Sequence, residues 1–233
     1  MKKYTQLTFV YAVVLILTIC AAIFGSRAVT TMVETKPLPS QHTILIDPGH
    51  GGIDGGAVST GGLAEKEYNL QISIRLRDIL NLLGWQTQMT RSTDESIYTE
   101  GQTIAQKKIS DLKRRLQISE ETQNPIFVSI HQNFFPDSRY SGPQVFYAGS
   151  ESSKLMAQEL QEAMNRSLNP GSRREHKLAS GIWLMERLQC PGILIECGFL
   201  SNHQEEARLR NPDYQKKLCC VIAAALGETL RNA

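Results

Sequence analysis

The fold of this chain is most constrained by three short aliphatic runs, each of which leads into a residue that can bind a metal or carry a proton. The runs are ILIDPGH (Ile44–His50), IFVSIH (Ile126–His131) and ILIE (Ile193–Glu196). Such runs, rich in Ile and Val and bounded by turn residues, predict strands buried on both faces of a sheet that is covered by helices. Ligands of these sheets bind beyond the carboxyl ends of the strands. We therefore expect His50, His131 and Glu196 to converge in one hydrolytic site.

Length and composition indicate one α/β domain. The 233 residues are 41% hydrophobic and 21% charged, which is ordinary for a globular protein with a sizeable core. The formal net charge is only +2, and the Lys and Arg residues are interspersed with Asp and Glu. A basic face for nucleic acid is therefore not expected.

The amino terminus predicts export. Lys2 and Lys3 precede an apolar stretch from Leu7 to Phe24, which combines the charged and apolar regions of a secretory signal with a length that just spans a membrane. We predict a signal peptide or signal anchor at residues 1–28, a linker at 29–41 and a catalytic domain at 42–233. The protein is expected outside the cytoplasm, either membrane-anchored or secreted.

Whether the leader is cleaved stays open at this stage. Ser26 and Ala28 form a small-x-small cleavage site, but Arg27 and the long apolar core fit an uncleaved anchor nearly as well. A lipoprotein with Cys20 as the lipidated residue is disfavoured, because the preceding residue should be small and is Ile19.

Strand and helix signals alternate through the remainder of the chain. Apolar residues at helical spacing predict helices that end at glycine or polar residues. In the second predicted helix, Ile109, Leu112 and Leu116 are expected to face the core. The predicted helices cover residues 66–83, 103–121, 152–168 and 213–230, and further strands are predicted at 85–91, 142–147 and within 178–197.

Two histidines and two glutamates carry the predicted chemistry. A catalytic zinc takes three protein ligands and leaves one position open, and two His with one Glu is a standard set. His50 and His131 supply the imidazoles, and Glu65 is the expected carboxylate because the glycine-rich loop before it folds the next helix start back towards His50. Glu196 is better placed as the general base that later protonates a leaving amine.

The neighbouring polar residues can also be interpreted as purely structural. Asp47 and Asp54 flank the first histidine, where they either support it through hydrogen bonds or only shape the turn. Glu67 fits a charge that complements the helix dipole. Three further histidines lie in polar contexts and are expected at the surface: His42, His176 and His203.

The cysteines suggest two weaker alternatives. Cys197 follows Glu196 directly and would define a thiol hydrolase, but strand alternation should point the two side chains to opposite faces. A disulfide between Cys190 and Cys197 is a minority interpretation for an exported protein. Cys219 and Cys220 lie in an apolar helix, where at least one should be buried.

At these residues the chain resembles a known family. DPGHGGIDGGA with GLAEKEYNLQIS, then SIHQN and then ILIECGFLSN are similar to the three sequence blocks of the zinc-dependent N-acetylmuramoyl-L-alanine amidases, in order and in spacing. The resemblance implies one Zn²⁺ held by His50, Glu65 and His131, a catalytic Glu196, a peptidoglycan substrate and a single domain with a mostly parallel six-stranded sheet flanked by helices.

One departure within the resemblance narrows it. Gln132 stands where the family often has Ala, Asn133 and FFP follow it, and SGPQVFY stands where a small variable strand is expected. In a short chain with an N-terminal anchor, this combination resembles the germination-specific branch, which acts on spore cortex and removes peptide so that muramic lactam can form. Gln132 and Asn133 are candidate substrate-binding residues. The resemblance implies a location in the cell wall or between the forespore membranes and allows sporulation partner proteins. A general amidase of division or lysis and a non-catalytic wall-binding module are the alternatives.

Overall fold

A six-stranded sheet forms the centre of the computed structural model, which describes residues 42–231 together with Leu15 and Thr18. The strands lie in the order β2-β1-β3-β6-β4-β5. The strand β4 is antiparallel to β6, and every other neighbouring pair is parallel. The strands are β1 (Thr43–Pro48), β2 (Gln86–Met89), β3 (Pro125–Asn133), β4 (Gln144–Tyr147), β5 (Lys177–Leu178) and β6 (Gly192–Phe199). The predicted α/β class with a mostly parallel six-stranded sheet is therefore confirmed.

Five helices accompany the sheet within residues 42–231. A capping box between Thr103 and Gln106 fixes the start of the second helix by satisfying backbone N–H groups. The last helix packs against both the first and the third. The helices are α1 (Glu65–Leu82), α2 (Ile104–Glu121), α3 (Glu151–Ser167), α4 (His203–Arg210) and α5 (Pro212–Arg231).

Side chains on one face of the sheet form a core with α2 and the segment after β5. Leu45, Phe127 and Leu194 project from three adjacent strands and are 5% exposed or less. Ile118 of α2 and Met185 of the following segment complete this cluster. The predicted site lies where this face reaches the carboxyl ends of the strands.

Several local predictions were wrong. The strand-like signal beyond Leu178, the end of β5, forms turns through residues 179–191, and only Gly192–Phe199 is a long strand there. Ile109 was expected in the core but is 53% exposed, because it lies at the solvent side of α2, while Leu112 and Leu116 pack partly against the core. The helix α4 was not predicted, since its apolar positions are too few to give a periodic signal.

The predicted leader and linker at residues 1–41 lie outside the described residues, apart from Leu15 and Thr18. Residues Ser40–Ala233 form one compact unit. Across the part of the chain that the structure describes, we find no helix of the length and apolar character that a membrane crossing needs.

Candidate metal centre

Strand register brings the three predicted strand-end residues to one edge of the sheet. Pro48 of β1 is the partner of Ile130 on β3, and His131 is the partner of Glu196 on β6. His50 follows β1 after one glycine, so the three residues emerge side by side. The crevice at this edge is where parallel sheets bind ligands.

The turn after β1 holds His50 in an uncommon backbone conformation. Its φ is 61°, in the left-handed region that non-glycine residues adopt only at some cost. Arg91 Nε and Arg115 Nη2 each donate a hydrogen bond of 2.7 Å to the carbonyl oxygen of His50. A Cβ at Gly49 would collide with the His131 ring, so glycine is required where the two histidines approach.

Glu65 joins the two imidazoles at the first residue of α1. Its Oε2 lies 3.1 Å from His50 Nε2, and its Oε1 lies 3.0 Å from His131 Nδ1. The residue is 4% exposed, and Gln132 and Asn69 donate further hydrogen bonds to Oε1. The glycine-rich loop therefore places this carboxylate where the sequence predicted it.

The donor atoms of His50, Glu65 and His131 fit one metal ion. One ligand atom from each residue lies within 4.8 Å of the other two. Two imidazole nitrogens and a carboxylate oxygen are the donors that zinc takes in catalytic sites, with bonds of about 2.0 to 2.2 Å. The three atoms are thus close enough to share one small cation.

The charged groups of the cluster shift one another's pKa. Burial alone would lower the pKa of His50, but hydrogen bonds and charges from Asp54 and Glu65 raise it to about 9. Burial would raise the pKa of Glu65, but His131 and His50 hold it well below its usual range. Glu65 is therefore a carboxylate at every physiological pH, as a metal ligand must be.

A second layer of side chains orients His50. Asp54 Oδ2 lies 2.9 Å from His50 Nδ1, the arrangement in which a carboxylate fixes the ring and its tautomer. Lys108 Nζ lies 2.7 Å from the other oxygen of Asp54. Of the two roles predicted for Asp54, support of His50 through a hydrogen bond is thus the one that the structure favours over a role in the turn alone.

Asp47 supports His50 indirectly, through Arg115, and not by a hydrogen bond to the histidine ring. Its carboxylate is buried, pairs with Arg115 and accepts hydrogen bonds from Thr90 Oγ1 (2.7 Å) and Ser129 Oγ (2.8 Å). Burial would raise its pKa, but Arg115 and these hydrogen bonds lower it. Asp47 thus anchors Arg115, and Arg115 holds the carbonyl of His50.

Glu196 lies beside the cluster but does not join it. Its Oε2 is buried and finds no hydrogen-bond partner among the described residues. Burial raises the pKa of Glu196 to about 7, with His131 opposing and Glu65 reinforcing this shift. A carboxyl group that holds or releases a proton near neutral pH suits general acid/base chemistry.

The two candidate substrate-binding residues, Gln132 and Asn133, make contacts within the protein next to the cluster. Gln132 is 3% exposed, its Nε2 donates to Asn69 Oδ1 at 3.2 Å, and its backbone N–H donates to Glu65. Asn133 is half-buried, and its carbonyl accepts a hydrogen bond from the Leu200 N–H at 2.8 Å. These contacts support Glu65 and the strand end, and direct contact with substrate stays a prediction for both residues.

The alternative interpretations find little support. Cys197 is fully buried next to Glu196, and burial raises its pKa well above the usual value, so it lacks the exposed thiolate of a thiol hydrolase. Cys190 and Cys197 are free thiols, and Cys219 is buried while Cys220 is exposed. Of the three histidines expected at the surface, His42 and His203 are exposed, whereas His176 is half-buried beside the Tyr147 ring.

A cleft of about 430 Å³ opens onto the cluster between α2 and the segment after β5. His50 and His131 line its inner end, and Lys108 lines the α2 side. Ile182 and Trp183 contribute an apolar wall opposite α2. Sequence reasoning missed Lys108, Arg91 and Arg115, because isolated basic residues give no signal until the fold brings them to the site.

Comparison with known proteins agrees with this geometry. A family model described as N-acetylmuramoyl-L-alanine amidase matches residues 44–228. Over 227 residues the chain is 36% identical to the germination-specific N-acetylmuramoyl-L-alanine amidase of Bacillus subtilis (strain 168), covering 95% of this chain and 92% of that relative.

Solved structures are similar as well, two amidases among them. The CwlD amidase from Clostridioides difficile, solved in complex with the GerS lipoprotein, has a TM-score of 0.79 at 37% identity, covering 82% of this chain and 99% of that one. An N-acetylmuramoyl-L-alanine amidase from Clostridium difficile 630 has a TM-score of 0.71 at 29% identity, covering 82% and 97%.

Proposed function

We propose that this chain, which belongs to the N-acetylmuramoyl-L-alanine amidase family and is an enzyme of that activity, works with a single zinc ion held by His50, Glu65 and His131. The bond cleaved is the amide between the lactyl group of N-acetylmuramic acid and L-alanine in peptidoglycan. The observation that carries the proposal is the convergence of these three ligand atoms within 4.8 Å of one another.

The chain's own residues supply the proton chemistry and the positioning. When bound, zinc would polarise the scissile carbonyl and lower the pKa of water towards about 7. Glu196 takes a proton from the attacking water and returns it to the nitrogen of L-alanine, because an amide nitrogen leaves poorly unless it is protonated. The buried, unpartnered Oε2 of Glu196 is consistent with a group that exchanges protons with a reacting species.

Spore cortex is the proposed substrate. The germination-specific relative matches nearly the whole chain, and the CwlD relative has the higher TM-score of the two solved structures. In this role, removal of the peptide leaves a free muramic lactyl carboxylate, which muramic lactam formation requires. A general amidase of division or lysis would share the site and differ only in the wall on which it acts.

Export, membrane attachment and a protein partner belong to the same proposal. The charged and apolar leader at residues 1–28 supports a catalytic domain that works outside the cytoplasm, in the wall or between the forespore membranes. The GerS complex of the CwlD relative supports a sporulation partner for this chain as well.

The direct test measures zinc and turnover on the purified full chain. We expect about one zinc per chain and release of peptides that begin with L-alanine from muropeptides, both lost on chelation and restored by zinc. His50→Ala and His131→Ala should lose the metal, because a three-ligand site cannot spare an imidazole. His203→Ala, which changes an exposed histidine outside the site, is the matched control. Stoichiometric zinc in a folded His50→Ala or His131→Ala protein would contradict the assignment.

A further inference from the structure

The loop between β3 and β4 begins three residues after His131 and exposes three large aromatic side chains. Phe134, Phe135 and Tyr140 are 49%, 46% and 49% exposed. We call these three residues the aromatic rim. Single exposed apolar residues are ordinary, but here Phe135 and Tyr140 contact each other and Phe134 precedes Phe135 in the chain. Contiguous exposed apolar patches mark binding surfaces.

The loop that carries the rim is held in place. Phe135 and Tyr140 rings contact edge to face with their centroids 4.7 Å apart, and Tyr140 also lies 6.2 Å from the buried Phe199 ring of β6. Asn202 Nδ2 donates to the carbonyl oxygens of Ser138 (2.8 Å) and Tyr140 (3.3 Å). The rings of Phe135 and Tyr140 are therefore positioned before any ligand arrives, which lowers the entropic cost of binding.

The rim is continuous with the catalytic edge of the sheet. Phe134 is only three residues beyond His131, and the intervening Gln132 N–H donates to Glu65. Phe135 N–H donates to Ser201 Oγ at 3.2 Å, so the loop packs on the turn after β6, the strand that carries Glu196. A ligand that reacts at the cluster and extends along this edge towards the β3–β4 loop would reach the rim.

The cleft beside the metal centre does not include the rim. Its wall comes from α2, the strand ends and residues 181–185, and no residue of 134–142 lines it. A volume of about 430 Å³ suits one ligand of modest size. A glycan strand, in contrast, continues in both directions from the sugar whose lactyl amide reacts, so most of it must lie outside this cleft.

We infer that the aromatic rim binds the glycan backbone of the substrate next to the reacting muramic acid. The inference depends on the proposed function. The faces of N-acetylated pyranose rings present C–H groups that stack on aromatic side chains, and such uncharged sugars need no ion pair to bind. The rim therefore recognises polymer, while the metal centre and its cleft recognise the lactyl amide and the peptide.

The experiment compares a polymeric with a monomeric substrate. Kinetic constants of the full-length, zinc-loaded enzyme are measured on peptidoglycan strands with attached peptides and on N-acetylmuramyl-L-alanyl peptide, which has no neighbouring sugars. Two variants are tested: Phe134→Ala, whose ring has no ring contact within the part of the chain that the structure describes, and the double variant Phe134→Ala with Tyr140→Ala. Each should raise KM on strands, and we expect the double variant to raise it by about tenfold, the scale of lost aromatic stacking. On the monomer, kcat and KM should stay near the wild-type values.

Two controls keep the result specific. Phe134→Trp retains a stacking face and should keep the KM of the wild type on strands. Leu155→Ala removes a 57% exposed apolar side chain on α3, away from the catalytic edge, and should change neither substrate. Thermal melting of each variant checks that Tyr140→Ala, which loses the contact with Phe199, still folds.

The outcomes are distinguishable. An unchanged KM of Phe134→Ala on strands overturns the inference and leaves the rim to a protein partner. An equal loss on strands and monomer overturns it as well, because the rim would then act on the metal centre. If the wild-type enzyme cleaves neither substrate, the proposed function itself has failed, whatever the rim does.

Discussion

His131 and Glu196 are direct cross-strand partners on the parallel strands β3 and β6. This register places a metal-ligand candidate and the proposed proton shuttle side by side on one face of the sheet. The ladder of hydrogen bonds between the strands fixes their separation, so neither residue depends on a mobile loop. The sheet itself thus sets the spacing between the candidate ligand and the proposed proton shuttle.

Asp54 should tune metal affinity without providing a ligand. Asp54→Asn weakens the acceptor for His50 Nδ1–H, and we expect zinc affinity to fall by about 10- to 100-fold, the usual effect of losing such a supporting carboxylate. Competition with a chelator of known affinity measures this. Asp78→Asn, at an exposed carboxylate on α1, is the control, and equal zinc affinity in the two variants would argue against the supporting role.

Gly56 should be required because of the space that Glu65 occupies. A Cβ at Gly56 would lie 2.5 Å from Glu65 Oε2, so Gly56→Ala should displace the carboxylate and reduce zinc content. Gly62→Ala is a matched control, because Gly62 also has a positive φ (81°) but a Cβ there would meet nothing within 4 Å. Both variants carry backbone strain, and only Gly56→Ala should lose metal. Equal zinc loss in both would show that strain alone is responsible.

Asp47 should make stability depend on pH. Its pKa is lowered in the folded protein, so its contribution is present at pH values above the unfolded-state pKa and is lost as the pH falls through the folded-state pKa. Asp47→Asn leaves Arg115 with the half-buried Asp111 as its remaining ion-pair partner, and we expect a loss of up to about 3 kcal/mol in the free energy of unfolding at pH 7.

The measurement is urea unfolding of the metal-free protein, in chelator, at pH 7 and near pH 3.5. The difference between wild type and Asp47→Asn should shrink at the lower pH, because the Asp47 carboxylate of the unfolded chain is then partly protonated while that of the folded protein is still charged. A difference that is constant across this range would mean that packing, rather than charge, accounts for the effect.

Export is independently testable. A fusion of residues 1–40 to a reporter should place it outside the cytoplasm, because the segment has the charged and apolar regions of a secretory signal. Replacing Val14, Leu15 and Ile16 by charged residues should abolish export. A reporter that stays in the cytoplasm with the unaltered segment would contradict the proposed location in the cell wall.

The amino-acid sequence was sufficient for the parts of the site that local pattern controls. Aliphatic runs ending in His131 and Glu196 identify buried strands, and parallel strands necessarily bring their carboxyl ends together. Glu65 was predicted because a glycine-rich loop ahead of a helix can fold back on a strand end. The fold class followed from the same alternation.

The remainder depends on tertiary contacts that leave no periodic trace. Arg91 and Arg115 are far from His50 in sequence, and only the completed fold places both guanidinium groups on its carbonyl. The segment after β5 has the composition of a strand, but its apolar residues fill the core from turns, including Leu184 and Met185. Tertiary packing overrides local propensity there.

The most direct test of the account separates Glu196 from Glu65. Glu196→Gln should keep the fold and about one zinc per chain, while turnover falls by roughly two to four orders of magnitude, the scale of lost general acid/base help. Glu65→Gln should instead lose zinc, because a neutral amide oxygen is a poorer ligand than a carboxylate. Glu67→Gln, in the same first turn of α1, should change neither property.

Zinc content and release of L-alanine-terminated peptide are measured on the same samples of all three variants. Near-normal zinc with turnover lost in Glu196→Gln, and zinc lost in Glu65→Gln, is the result we predict. Near wild-type turnover in Glu196→Gln, or loss of zinc from that variant, would contradict the assignment of ligand and proton shuttle.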